Sequence, residues 1–450
     1  MRFAKKQLLF AVGAILASLM TACGSGSSAP LPANVRVANL TPPSAADTIT
    51  LTLNSTAYAV AAGPSSASGY VAVDPGTYVG AVQSTDQTVA ADTFPGLGLG
   101  TTQYYSILAY PRQGVLYPFE LIDNVVVPSA GYAQLTIANA SPDAGPLDVY
   151  VTAHTSSSPA DPCSVVVYGQ ENFSSVQGQQ TSPVPVLVNT ATTYDVCVTA
   201  ASTPTDPRLS ISNSPAMNLQ STGIYTLALT SSAGGTLVDG AVVVQGPGGT
   251  VTTIANPDFR VRLLSALSNT SPAPVVTVTT SLGATTLPNV YSGNESSYQA
   301  LAFGAAQPTV TVTVAGASVP VTLPTGFSFS TGSDYTIVVY GTTTPAATVV
   351  ADDNHYIVSK ASVRLINAAD PGAGLTMYVN GLVEAQNIAL GASSSYFAVP
   401  TGSDTLSLRS SDLTAGTGAG TPVTTDLIVG GVYTVFLYDV TQPPIIFEDR

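Results

Sequence analysis

The chain repeats itself four times, and the length of the repeat limits the folds open to it. Val35-Arg36-Val37-Ala38-Asn39 is echoed by Leu135-Thr136-Ile137-Ala138-Asn139, Val261-Arg262-Leu263-Leu264-Ser265 and Val363-Arg364-Leu365-Ile366-Asn367. Their starts lie 100, 126 and 102 positions apart. Each is followed by a Pro-bearing turn and an alternating strand, as in Leu147-Asp148-Val149-Tyr150-Val151 and Leu375-Thr376-Met377-Tyr378-Val379. Tyr70-Val71-Ala72-Val73 recurs as Tyr396-Phe397-Ala398-Val399. A late strand opens on Tyr105, Tyr225, Tyr335 and Tyr433, and an apolar stretch then ends in acid at Asp123, Asp239, Asp352 and Glu448. A unit of roughly 100 residues can bury its own core, which a solenoid repeat of about 20–45 residues cannot.

Within each copy the hydrophobic period is 2. Thr309-Val310-Thr311-Val312-Thr313-Val314 places Val on one face and Thr on the other, as a half-buried pleated strand requires. Turn residues recur every 8–12 positions, and no helical period follows residue 23. The expected fold is all-β: tandem immunoglobulin-like β-sandwich domains after a signal peptide. The expected divisions are a signal peptide over 1–22, a Gly/Ser/Pro tether over 23–33, and sandwich copies over 34–128, 129–256, 257–358 and 359–450. Copy 2 carries an insertion around Ser156 to Gln180.

The N-terminal segment is a targeting signal. Arg2, Lys5 and Lys6 precede an apolar stretch from Leu8 to Met20, too short to span a bilayer. Leu19-Met20-Thr21-Ala22-Cys23 followed by Gly24-Ser25-Gly26-Ser27-Ser28 resembles a bacterial lipoprotein signal, although Met20 stands where that motif usually has Leu. The resemblance implies cleavage before Cys23, acylation of Cys23 (palmitate among the chains) and membrane attachment. Gly24 after the Cys points by analogy to the outer membrane. Ordinary cleavage near Ala22 is the alternative.

Composition then removes several function classes. The 12 Lys+Arg against 26 Asp+Glu give a net charge of −14, which disfavours nucleic acid. A hydrophobic fraction of 45% excludes a disordered chain. Cys163 and Cys197 in an exported chain read as a disulfide pinning the insertion; a metal site is the weaker reading. His154 and His355 are the only histidines and fall in different copies, and the expected setting of each is an exposed loop. Asp352 and Asp353 are weak candidates for Ca²⁺, which needs six to eight oxygens. No metal, cofactor or catalytic residue is assigned. The tyrosine of each late strand is either an aromatic platform for glycans or a buried ring whose hydroxyl bonds backbone, the latter favoured. Arg36, Arg262 and Arg364, recurring at one position, suggest an ion pair with the acid that ends the same copy.

Asn139-Ala140-Ser141-Pro142-Asp143-Ala144-Gly145-Pro146-Leu147-Asp148-Val149-Tyr150-Val151 resembles the bacterial DUF4397 domain family. The pattern is strongest in copies 2 and 4, partial in copy 1, and lacks its Pro-Asp pair in copy 3. The resemblance implies exported or surface-associated β-sandwich modules without assigned chemistry. The expected function is therefore non-enzymatic: an envelope lipoprotein whose four similar surfaces contact glycan or protein with avidity. The rival readings are a polysaccharide-active enzyme or accessory, which would need paired carboxylates in a cleft, and a passive structural lipoprotein.

Overall fold

The computed structural model describes residues 30–42, 47–57, 62–85, 91–246, 249–267, 273–341, 344–369, 374–410 and 419–450. Cys23 and its flanking signal lie outside these residues. Among the described residues there is no α-helix, only two 3-10 turns at Pro162–Val165 and Pro215–Met217.

The described residues form eight sheets, stacked as four sandwiches, each with its own core. In copy 1 the opening strand Ala33–Asn39 runs parallel to the tyrosine strand Tyr104–Arg112, which turns back into the closing strand Val115–Ile122. Facing this sheet is a second one of Thr56–Ala57, Ile49–Leu53, Gly76–Ser84 and Asp92–Leu99. The register is the same in every copy: Val35, Leu135, Val261 and Val363 sit opposite Tyr105, Tyr225, Tyr335 and Tyr433. The four tyrosines are buried rings. Each hydroxyl accepts a backbone N–H from five residues upstream: Gly100 at 2.8 Å, Gln220 at 2.9 Å, Ser330 at 2.8 Å and Ile428 at 3.2 Å. That is the backbone-bonding role expected of them.

The insertion in copy 2 folds over the outer face of that copy's second sheet. Cys163 on it is joined by a disulfide to Cys197 on the strand Tyr194–Ala200, and the pair packs on Tyr150.

The sheet holding the opening and tyrosine strands is apolar on both faces. Val35 and Val37 point into their own sandwich, while Ala38 and Leu108 point out. A sheet buried on both faces must be covered by another layer. The cover is the matching sheet of the next copy. Ala38, Leu108, Tyr110 and Phe119 of copy 1 pack on Ala138, Ala228, Ala241 and Val243 of copy 2. Leu264, Val338 and Val350 of copy 3 pack on Ile366 and Phe436 of copy 4.

These contacts exchange the recurring arginines. Arg262 of copy 3 donates to Asp449 of copy 4 at 2.5 Å, and Arg364 of copy 4 lies 2.5 Å from Asp352 of copy 3. Each arginine also donates to the threonine of its own copy, Arg262 to Thr336 and Arg364 to Thr434, both at 2.9 Å. Those threonines pass the bond to Asp352 and Asp449 at 2.7 and 2.6 Å. Tyr298 and Tyr396 lie over the guanidinium groups and donate to the same two carboxylates. A contact in which residue i meets j and j meets i is the signature of a twofold interface, here made within one chain.

Three expectations are corrected by this arrangement. The ion pair within a copy is present at Arg36 and Asp123, 3.9 Å apart, and at Arg364 and Asp449, 3.8 Å apart, but the shortest contacts of copies 3 and 4, at 2.5 Å, run across the interface. The acid closing copy 4 at the motif position is Asp449, not Glu448, and copy 2 has Gln245 there, since Tyr225 pairs with Val244. Asp352, a weak candidate metal ligand, is instead sealed among Arg364, Tyr298 and Thr336.

Burial alone would push these carboxyls up. At Asp352 the two arginines and two hydroxyls outweigh it and hold the carboxyl below its ordinary range. At Asp123 burial wins and the carboxyl is raised, because Arg36, Tyr70 and Ser106 offset it only in part. Copy 2 has Thr136 at the arginine position, so no second guanidinium reaches Asp123.

Removing one partner of a buried pair leaves an uncompensated charge and costs about 3–5 kcal/mol. Arg262→Met and Asp449→Asn are expected to destabilise by that order singly. In a double-mutant cycle they are expected to couple by more than about 1 kcal/mol, despite 187 positions of sequence separation. Chemical denaturation of the four proteins checks this; additive losses would mean that the pair is not made.

Candidate functional site

Pairing of the copies creates a cleft that no single copy has. Its floor is copy 2, where the strand Val238–Val244 pairs with the tyrosine strand so that Asp239 stands opposite Thr230. One wall is Leu40, Pro42, Tyr110 and Pro111 of copy 1. The other is the segment that leaves copy 3 after Asp352. That segment docks on copy 2: Asn354 N–H donates to Gly234 O at 3.0 Å, and Tyr356 N–H donates to Asp143 at 2.6 Å. Gly235, at φ +91°, permits the approach, since a Cβ there would lie 2.7 Å from the Asn354 carbonyl carbon.

Arg112 ties the three parts together. Its Nε and Nη2 meet Asp143 at 2.8 and 2.6 Å, and Nη2 also donates to Tyr356 O at 2.5 Å. Asp143 takes a further short bond from Ser231. Bidentate pairing of this kind fixes geometry as well as charge.

The cleft has two compartments. An apolar end of about 280 Å³ lies among Leu40, Pro42, Tyr110 and Ile254. A polar mouth of about 550 Å³ is lined by Arg112, Gln113, Ser232, Asp353 and His355. Pro42, Pro111, Ser231 and Asp239 border both. Asp239 Oδ1 accepts the Asn256 N–H at 2.7 Å, and among the described residues no cation pairs with the carboxylate. Burial pushes its pKa up to about 6. Burial would also raise Asp353, but His355 Nδ1 at 2.5 Å, reinforced by Gln113, holds that carboxyl below its ordinary range.

Of the residues singled out in the sequence, Asp353 and His355 are in this cleft and Asp143 lies behind it. His355 is buried, not on an exposed loop, because the segment that carries it docks on copy 2. His154 sits elsewhere in copy 2, 2.9 Å from Asp195. Asp148 accepts the N–H groups of Ser175 and Ser202, both at 2.7 Å, and so shapes turns. The sequence places Asp239 at the end of an apolar stretch, but of the four aligned closing acids it alone stands at the start of its strand, which puts it on the cleft. Among the described residues no group of three or more His, Cys, Asp or Glu side chains could hold a metal. No helix there is long and apolar enough to cross a membrane.

A family model described as Domain of unknown function (DUF4397) matches residues 33–150, which is copy 1 together with the first two strands of copy 2. No curated protein matches the chain. Among solved structures it is similar to the crystal structure of a candidate cell adhesion protein from Bacteroides uniformis, at 12% identity and a TM-score of 0.22, over 50% of this chain and 99% of that one.

A carboxyl raised in the folded state favours folding while protonated, and that advantage is lost as pH rises through the folded pKa. Asp239 therefore costs stability above about pH 6, up to about 3 kcal/mol for two pKa units. Asp239→Asn is expected to melt higher than wild type at pH 7.5, with the difference vanishing below about pH 4. Equal melting temperatures at pH 7.5 would show that the carboxylate is solvated.

Proposed function

We propose that the protein is a non-enzymatic cell-envelope lipoprotein, attached to the membrane, in particular the outer membrane, through acylated Cys23, which presents β-sandwich faces to glycan or to another envelope protein. The observation that carries this reading is the orientation of the sheets. The sheets with the arginines are consumed in pairing, which leaves the second sheet of each copy facing outward. In copy 3 that face is a grid of hydroxyls: Thr277 opposite Thr311 and Thr279 opposite Thr309, most of them exposed. Copy 4 presents Thr405 beside Thr424, 3.3 Å apart, and copy 1 presents Thr50 and Thr52. The face of copy 2 is covered by its disulfide-pinned insertion, so the contact surface is three faces on one chain, not four. Neutral hydroxyl surfaces suit contact with sugars, and linked faces gain avidity where geometry lets them engage together.

One observation favours the enzymatic reading: Asp239 and Asp353 share a cleft and their carboxyls are shifted in opposite directions. A hydrolase screen on polysaccharides separates the two. Turnover abolished by Asp239→Asn or Asp353→Asn would replace the contact reading.

The contact reading expects wild-type mature protein to bind envelope glycans on an array or isolated envelope fractions. The pair Thr279→Glu in copy 3 and Thr405→Glu in copy 4 is expected to weaken that binding by about fivefold or more with little change in melting temperature, since both side chains are exposed and do not face each other. Cys23→Ala is expected to move the protein from the membrane to the soluble fraction. Failure of the wild type to bind either target would leave a passive structural lipoprotein.

A further inference from the structure

We propose that the cleft between copies 1 and 2 binds a small organic ammonium ion, with its cation on Asp239 and its apolar body against Leu40, Pro42, Tyr110 and Ile254. The inference is independent of what the outer sheets contact. It begins with a charge that has no answer. The carboxylates beside it are held by partners: Asp143 is paired with Arg112, and Asp353 takes a hydrogen bond from His355. Asp239 has one backbone N–H and, among the described residues, no cation. It stands where the apolar end meets the polar mouth, the position from which it would meet the charged head of a ligand whose body fills the narrower compartment.

The lining selects the class. An anion would face Asp239 and Asp353, and the nearest guanidinium, Arg112, is already spent on Asp143 and Tyr356 O. A neutral alcohol would fill the apolar end and still leave the carboxylate without a counter-ion. A metal ion would lack a site, since Asp239, Asp353 and His355, though all on the cleft, do not converge into a group that could hold one, and no such group is found among the described residues. An ammonium group donates to the free carboxylate oxygen, and a charge-assisted bond in a partly dry cleft is about twice as strong as a neutral one. The apolar compartment, at about 280 Å³, has room for a ring-sized body flanked by Tyr110 and two prolines.

The charged or titratable groups that line the cleft around Asp239 are Tyr110 and Arg112 from the tyrosine strand of copy 1 and Asp353 and His355 from the docked segment. Because burial raises Asp239, protons compete with the ligand near pH 6, and affinity for an amine is expected to fall between pH 7.5 and pH 5.

Benzylamine, benzyl alcohol and benzoate, titrated calorimetrically into the whole mature protein at pH 7.5, test the proposal. Benzylamine is expected to saturate one site, benzyl alcohol to bind at least about tenfold more weakly, and benzoate not to bind. Asp239→Asn is expected to reduce benzylamine to the level of the alcohol while the protein remains folded. Ala255→Trp, which narrows the cleft from an exposed position on its rim, is expected to abolish binding with Asp239 intact. Absence of benzylamine binding, equal binding of amine and alcohol, or unchanged binding by either variant would each overturn the proposal.

Discussion

Arg262 and Arg364 each cross to the neighbouring copy for a carboxylate, and the rest of the architecture follows from that exchange. A guanidinium and a carboxylate buried without partners would cost several kcal/mol each. The opening strands place their arginines on the outer sheet face, so the charges are tolerable only where a second sheet brings acids and hydroxyls to meet them. The apolar residues that alternate with the arginine, Leu264 and Ile366 among them, are buried by the same contact. Hydrophobic area supplies the drive, and the exchanged pairs set the register in which the two sheets meet.

Copies 1 and 2 use the same contact with one arm missing. Thr136 replaces the arginine, no tyrosine precedes the strand Val186–Asn189, and Gln245 replaces the closing acid. Arg36 then reaches across to the carbonyls of Val244 and Gly246 at 2.9 and 3.2 Å, while Gln245 bonds Thr226 and the Asn124 N–H. Neutral groups thus substitute for the second ion pair. The pairing remains, and the cleft at Asp239 lies along its margin, where copy 3 sends its last segment across.

Much of this was legible. The four opening strands, the tyrosine strands and the insertion stood out because a period of 2 and a fixed spacing survive sequence drift. The recurrence of arginine in so weakly charged a chain pointed to an ion pair. Its exchange between copies did not show, because Asp352 and Asp449 occupy the same motif position and are indistinguishable as partners in sequence. One signal was present: Ile107-Leu108-Ala109-Tyr110 and Ile337-Val338-Val339-Tyr340 have no polar alternation, which marks a sheet covered on both faces. The cleft was not legible at all. Tyr110, Asp239 and His355 lie more than 100 positions apart from one another and meet only because the copies pair and the segment after Asp352 folds back onto copy 2.

The most direct test of the exchange is calorimetric unfolding of residues 257–450. Coupled copies predict a single transition whose calorimetric and van't Hoff enthalpies agree. Two separate transitions, one per copy, would mean that the arginines do not bind the copies together and would contradict the account.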